Sequence, residues 1–432
     1  MRNTKILNNA KWIIVCKAAQ SLLQMVIGML CARYLGPANY GLINYAASVM
    51  AFFIPLMQLG FNATLVRELI DSPEREGEIL GTSLMMQLVS GVVCIFLIWQ
   101  FASVANVGER QTQIVCVLYS ISLLFQAVET VQYWFHSKLQ SKYPSIMMLT
   151  AYVVVSAYRI YILISQKSIY WFAVVHSIEY GLIGLSLLVI FRKQAEQRLC
   201  FSFLTAKQLF SRSRYYILAS MMVTVFQNTD HIMLKMISGD TENGLYTAAI
   251  TCAGVIQFVY SAVIDSMRPV ILNARKLNSE EYELNICRLY GITTYMALIQ
   301  AAGFAVFARL IVWILFGPEY LSAVPVLRIL VWYIAFSYMG AVRNIWILAE
   351  GNQRYLWKIN LAGAAANILL NALLIPRWGA CGAAFASLAT QFFANFVLGF
   401  MIAPLRKNNQ LLLAGLHPLV LWDMWKQWRE RQ

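Results

Sequence analysis

Apolar runs of about 20 residues recur along the whole chain, separated by short polar breaks. Read with a tolerance of about 2–4 residues at each end, they fall at roughly 11–34, 40–66, 79–101, 112–136, 143–165, 169–191, 214–237, 244–271, 288–316, 322–348, 355–375 and 380–404. Each is long enough for a helix to cross a hydrocarbon layer about 30 Å thick. Gly, Pro, Ser and Asn within the runs are compatible with this, because neighbouring helices satisfy the backbone groups they free. The pattern predicts an all-α polytopic membrane protein with about twelve transmembrane helices. The first run is too long for a cleaved signal peptide, and no small-residue cleavage site follows it. Cys31 within it is expected to be buried helix surface.

Several runs carry a polar stripe at helical spacing. The first has Lys17, Ser21, Gln24 and Gly28; the second has Asn44, Ser48, Pro55, Gln58 and Asn62. The seventh has Ser220, Thr224, Asn228, His231 and Lys235, with Gln227 and Asp230 beside them, and the eighth has Thr247, Thr251, Gly254, Ser261, Asp265 and Arg268. Uncharged stripes of this kind serve as hydrogen-bonding glue between membrane helices. Ionisable residues at membrane depth are costly, so stripes that include Lys17, Asp230, Lys235 and Arg268 predict a face turned to a water-filled cavity. Asp230 and Lys235, five residues apart, do not share a helical face, so Asp230 is expected to reach a neighbouring helix and leave Lys235 free for substrate.

The stripes belong to an internal repeat. LGPANYGLINYAAS joins the first and second runs, and SGDTENGLYTAAIT joins the seventh and eighth. One shift carries Gly36 onto Gly239, Gly41 onto Gly244 and Leu42 onto Leu245. The same shift carries Ser21 onto Thr224, Gln24 onto Gln227 and Asn62 onto Asp265. Weak internal symmetry between six-span halves is typical of secondary transporters. The predicted organisation is a six-helix bundle with its connecting loop over 1–206, a second bundle over 207–404 and a basic tail over 405–432. In the tail, 411–425 is apolar but short and contains Pro418. Trp422, Trp425 and Trp428 fit either an interfacial helix or packing on the bundle.

Composition and charge sharpen this picture. Of 432 residues, 59% are hydrophobic and 12% charged, against about 25% charged in soluble domains. The net charge of +14 is a topology signal. With the N-terminus inside, the cytoplasmic segments hold most of the Lys and Arg, including Arg67, Arg75, Lys138, Arg192, Lys193 and Arg198, which places both termini in the cytoplasm. Nucleic-acid binding is therefore not indicated. The outer connections are short, and neither side has room for a soluble catalytic domain. The eight cysteines and four histidines show no metal-binding spacing, so no cofactor or metal is expected.

The charges within the runs are mainly basic: Lys17, Arg159, Lys235, Arg268, Arg309, Arg328 and Arg343, against Glu129, Glu179, Asp230 and Asp265. Arg309 and Arg328 are placed to snorkel outward, and Arg268 and Arg343 inward. The basic balance suits an anionic substrate, since Arg grips phosphate with a planar fork. A helical rise of 1.5 Å per residue puts Arg159 and Glu179 about 7 Å apart in depth, so they are expected to pair or to share His176 as a bridge. Glu129 with His136, or His176 with Glu179, could pass for acid–base pairs, but structural hydrogen bonding is the simpler reading.

ARYLGPANYGLINYA and PLMQLGFNATLVRELI resemble the start of the bacterial polysaccharide-unit flippases. FQNTDHIMLKMISGDTENGLYTAA, with Asp230, is similar to the seventh-span motif, and LFGPEYLSAVPVLRIL and PRWGACGAAFASLAT resemble later signatures. The resemblance covers roughly residues 5–404 and points to the multidrug, oligosaccharidyl-lipid and polysaccharide exporter superfamily. It implies two pseudo-symmetric six-helix bundles around a central cavity. It further implies that the chain flips an undecaprenyl-diphosphate-linked oligosaccharide, such as an O-antigen repeat unit, across the inner membrane, coupled to a proton or ion gradient. The expected partners are that substrate, membrane lipid, a glycan polymerase and a chain-length regulator. On this reading Lys17, Gln24, Arg67, Gln227, Lys235 and Arg268 bind substrate, while Asp230, His231, Asp265, Arg159 and Glu179 are coupling or cavity charges. The alternatives are a multidrug or cation antiporter, disfavoured by the basic interior; a glycan polymerase or ligase, disfavoured by the short outer loops; and a channel, for which no filter-like loop appears.

Overall fold

The computed structural model describes residues 2–277 and 279–417, with side chains described from Cys16 onward except those of Lys17, Ala18 and Ser279. Among the described residues the chain is helical and contains no strand. The helices are α1 (Arg2–Gln58), α2 (Phe61–Asp71), α3 (Glu76–Ala105), α4 (Arg110–Ser120), α5 (Ser122–Glu129), α6 (Gln132–Ser137), α7 (Lys142–Ile164) and α8 (Ile169–Gln194). They are followed by α9 (Phe203–Ser238), α10 (Asp240–Ala253), α11 (Gln257–Leu277), α12 (Ser279–Phe316), α13 (Val324–Ala349), α14 (Leu356–Phe392), α15 (Leu398–Met401) and α16 (Arg406–Gly415). A π-helical turn, Phe393–Val397, joins α14 to α15.

Nine stretches among the described residues are long and apolar enough to cross a membrane. Two of them, of 53 and 49 residues, are too long for one crossing. Each is broken where a glycine leaves helical geometry: Gly36 in α1 (φ 69°) and Gly379 in α14 (φ 52°). α9 is absent from the nine because its polar stripe dilutes its apolar character.

Helix α3 shows the packing logic. Val89, Val92, Val93, Phe96 and Trp99 are exposed, while Thr82, Ser83 and Gln87 are buried. Apolar groups face the hydrocarbon and polar groups glue helices together. Gln87 donates to the Gln58 carbonyl at 3.1 Å and Ser90 to that of Leu56 at 3.0 Å, satisfying the carbonyls at the end of α1. Below this point Phe61, Leu65, Trp134, Phe135, Leu187 and Phe191 form an apolar core.

The repeat is visible in the backbone. Gly36 (φ 69°, ψ 170°) and Gly239 (φ 92°, ψ 177°) share one conformation. Gly317 repeats it before Pro318 (φ 92°, ψ −179°). About two turns beyond the first two glycines, Asn44 donates to the Tyr40 carbonyl at 2.8 Å, and Thr247 to that of Asn243 at 2.7 Å.

The chain divides into two compact units, Met1–Asn228 and Thr229–Gln432. The division falls inside α9, and the docking of the preceding linker explains why. Gln197 accepts from the Gly77 amide at 3.0 Å, and the Ser202 amide donates to the Thr82 hydroxyl at 3.0 Å. A Cβ on Gly77 would lie 2.4 Å from the Arg198 carbonyl oxygen, so only glycine admits the linker this closely. Arg212 then binds both carboxylate oxygens of Glu68, at 2.7 and 2.6 Å. The start of α9 is thereby fastened to the first unit.

Candidate functional site

The seventh apolar run keeps its carboxylate inside the second unit. Asp230 on α9 is 7% exposed. One of its oxygens accepts from Asn367 at 2.9 Å and from Asn371 at 2.6 Å, both on α14. The other accepts from Tyr246 on α10 at 2.7 Å and from Ser387, further along α14. Asn371 also donates to Asn367 at 3.1 Å, and the Tyr246 and Ser387 hydroxyls lie 3.2 Å apart. Every donor is neutral, and Asp230 makes no ion pair among the described residues. The side-chain oxygen of Asn371, itself fully buried, has no hydrogen-bond partner. The result is a packed, oxygen-rich cluster with one formal negative charge. Such a set suits a proton or a small hard cation, which bind carboxylate, amide and hydroxyl oxygens.

His231 faces α10. Its Nδ1 lies 2.8 Å from the Asn243 side-chain oxygen and 3.4 Å from the Thr247 hydroxyl. Its ring meets that of Tyr246 edge-on at 5.2 Å. Lys235 is 5% exposed, so the expectation of an open, free lysine does not hold: the last turn of α9 is packed within the unit. Arg268 lies on exposed surface of α11, 3.3 Å from Asp265 one turn earlier, so these two charges neutralise each other locally.

In the first unit Arg159 on α7 meets Glu179 on α8 at 3.2 Å and donates to the Tyr152 hydroxyl at 2.9 Å. His176 does not bridge them. Its ring stacks on Tyr119 at 4.7 Å and meets Tyr180 edge-on. Nor does His136 engage Glu129; it lies 2.8 Å from the Ser141 hydroxyl. Gln24 and Gln227 are exposed at their matched positions. Arg67, on α2, is exposed and lies 3.3 Å from Asp71. The side chain of Lys17 and the tryptophans at 422, 425 and 428 lie outside the described residues. The substrate-binding candidates are thus spread over both units, with Gln24, Arg67 and Gln227 in the first and Lys235 and Arg268 in the second.

Arg343 departs most from expectation. It does not snorkel; it is 4% exposed on α13. Its guanidinium donates to the Ala394 carbonyl at 2.7 Å and to Asn344 at 3.2 Å. The π turn explains the first bond: the Leu398 amide reaches back to Phe393, five residues away, which leaves the neighbouring Ala394 carbonyl to be satisfied from outside the helix.

Comparison with known proteins places this architecture. A family model described as polysaccharide biosynthesis protein matches residues 6–275. The chain belongs to that family. A relative in Escherichia coli (strain K12), described as a putative O-antigen transporter, is 20% identical over 417 residues, covering 94% of this chain and 97% of that protein. Among solved structures, the lipid II flippase MurJ in an inward closed conformation superposes with a TM-score of 0.72 at 13% identity, over 94% of this chain and 90% of that one. An inward-facing multidrug-resistance transporter of the MATE family superposes at 0.67 with 14% identity, over 91% and 95%. At these identities the structures show a shared fold and nothing more.

The family match includes Asp230, His231 and Tyr246 but stops before Asn367, Asn371 and Ser387. These three, with Tyr246 and Asn243, are the residues that sequence reading missed. The available signal was the NILLN segment, which puts two asparagines one helical turn apart in an apolar run.

Proposed function

We propose that the chain is a flippase for a lipid-linked oligosaccharide. It would carry an undecaprenyl-diphosphate-linked repeat unit, of the O-antigen type or similar, from the cytoplasmic to the outer face of the inner membrane through twelve crossings. Alternating access to the two faces is coupled to a proton or a small monovalent cation at Asp230. Family membership and the name of the Escherichia coli relative support the substrate class. The observation that carries the coupling is the Asp230 shell: a buried carboxylate ringed by four neutral donors, with an unpartnered Asn371 oxygen beside it. A buried charge without a counter-charge is costly, and a reversible positive ligand offsets that cost in one transport state. The fold is shared with MATE transporters and does not separate the two classes. The basic excess favours an anionic cargo, and a carrier diphosphate must exchange its water shell for fixed cations. Lys17 is assigned to that role, with Arg67 and Arg268 exchanging their Asp71 and Asp265 partners for phosphate and Lys235, packed here, joining them in a transport state that exposes the end of α9. Gln24 and Gln227 are assigned to the attached sugar, and His231, Asp265, Arg159 and Glu179 to the charge balance around the path.

The test is a deletion strain complemented at matched protein levels, with the lipid-linked intermediate measured on each membrane face. Lys17→Gln and Lys235→Gln should lose glycan export, with the arginine variants retaining part of it, and Asp230→Asn should abolish dependence on the ion gradient. Normal export by the Lys→Gln variants would remove the cationic path. An unchanged ion dependence in Asp230→Asn would remove the coupling site.

A further inference from the structure

The break in α14 is held by a residue from another helix. At Gly379 the backbone takes φ 52° and ψ −129°, a conformation open to glycine and strained for other residues. The helix restarts at Ala380, so the first amides of the new segment lack partners within it. Glu242, in the first turn of α10, supplies one: its carboxylate accepts from the Ala380 amide at 2.7 Å. The fit is close on both sides. A Cβ on Gly379 would lie 2.5 Å from the Glu242 oxygen, and one on Gly382 would lie 2.4 Å from the Leu374 carbonyl oxygen.

This contact joins the two helices that build the Asp230 shell. α10 carries Tyr246, one turn beyond Glu242. α14 carries Asn367 and Asn371 before the break and Ser387 after it. Ser387 lies about 10 Å along the helix from Ala380, so the angle at Gly379 sets whether Ser387 and Asn371 can address the same carboxylate. The repeat offers an internal control. The shift that carries Gly36 onto Gly239 carries Asn39 onto Glu242. Asn39 donates to the Leu35 carbonyl at 3.1 Å, within its own turn, whereas Glu242 reaches another helix.

We infer that Glu242 is a positioning residue for the Asp230 site: by capping the segment that restarts at Ala380, it fixes the bend that brings Ser387 and Asn371 onto one carboxylate. The inference rests on the reading of Asp230 as the coupling group. The mechanism depends on reach and acceptor chemistry, since the amide oxygen of glutamine can accept the same N–H while aspartate is one methylene too short.

The experiment uses the full chain in nanodiscs and proteoliposomes with Glu242→Gln, Glu242→Asp and Glu242→Ala. Hydrogen exchange over residues 376–384 reports the cap without reference to transport. Exchange should stay slow in Glu242→Gln and quicken about tenfold in Glu242→Asp and Glu242→Ala, the loss expected for one hydrogen bond. The coupling-ion concentration for half-maximal transport, tested with protons and with sodium, should rise by about the same factor in those two variants, with half-saturation by lipid-linked substrate little changed. Wild-type exchange in Glu242→Ala overturns the cap. Faster exchange without a coupling shift, in a background where Asp230→Asn abolishes ion dependence, overturns the positioning role alone. Normal behaviour of Glu242→Asp with loss in Glu242→Gln overturns it too, because charge and not reach would then matter. An Asp230→Asn variant with intact ion dependence refutes the underlying reading, and the positioning role with it.

Discussion

The Arg159–Glu179 pair offers a quantitative test of how the first unit is held together. The two side chains, 18% and 11% exposed, meet at 3.2 Å between α7 and α8. Arg159 also donates to Tyr152 at 2.9 Å and lies 5.5 Å from its ring centroid. Removing one member of such a pair strands the other charge and costs about 3–5 kcal/mol, whereas replacing both with apolar groups of similar size is close to neutral. Arg159→Leu and Glu179→Leu should each lower the unfolding midpoint by roughly 6–20 °C, taking about 2–4 °C per kcal/mol for 150–250 residues. Arg159→Leu should be the worse by about 1 kcal/mol, because it also strips Tyr152 of its donor. The double variant should recover most of the loss. The assay is thermal unfolding in detergent, followed by fluorescence-detected size exclusion. If the double variant loses the sum of the two single losses, the side chains are not energetically coupled and the argument fails.

Two further outcomes follow from other contacts. Arg343→Leu should leave the Ala394 carbonyl unsatisfied at a cost of about 1–3 kcal/mol and speed hydrogen exchange over 394–399; unchanged exchange there would show that the π turn does not depend on the arginine. A reporter fused at the C-terminus and a cysteine label near Arg198 should both report the cytoplasm, as the basic linker requires; labelling of either from outside would invert the topology.

The apolar runs and the polar stripes were legible because membrane helices must be long, continuous and apolar on their lipid face. The turn at Gly36 and its counterpart at Gly239 were legible because a fixed register repeats them. Pairing of Arg159 with Glu179 could be anticipated from depth alone, since the two occupy adjacent short-looped helices. The partners of Asp230 could not. Asn367, Asn371 and Ser387 lie 137, 141 and 157 residues away, and an i, i+4 asparagine pair in an apolar run announces a polar partner without naming it. The place of Arg343 is illegible in the sequence for a similar reason. An arginine near a span end normally snorkels, and the carbonyl that holds it inside exists only because a π turn forms fifty residues later.

The repeat shows where the two halves have diverged. The shift that superposes Gly36 on Gly239 places Ile27 at the position of Asp230, Gly28 at that of His231 and Ala32 at that of Lys235. Ile27 and Ala32 are buried in the first unit, at 3% and 0% exposure, so the matching position is a packing site there and not a polar one. The shared elements are those that shape the backbone: the glycine turn, the following Gly–Leu step and the back-bonded polar residue one turn later. The elements confined to the second unit are chemical: the carboxylate, its four donors and the Glu242 cap. The first unit holds its own buried charges on α7 and α8, where Arg159 and Glu179 neutralise each other directly. In the second unit Asp230 is a buried carboxylate that rests on four neutral donors. An ion that binds and leaves during a transport cycle needs a site whose charge is not already balanced by a fixed cation. For the coupling proposed above, that physical requirement favours Asp230 over Glu179 as the site.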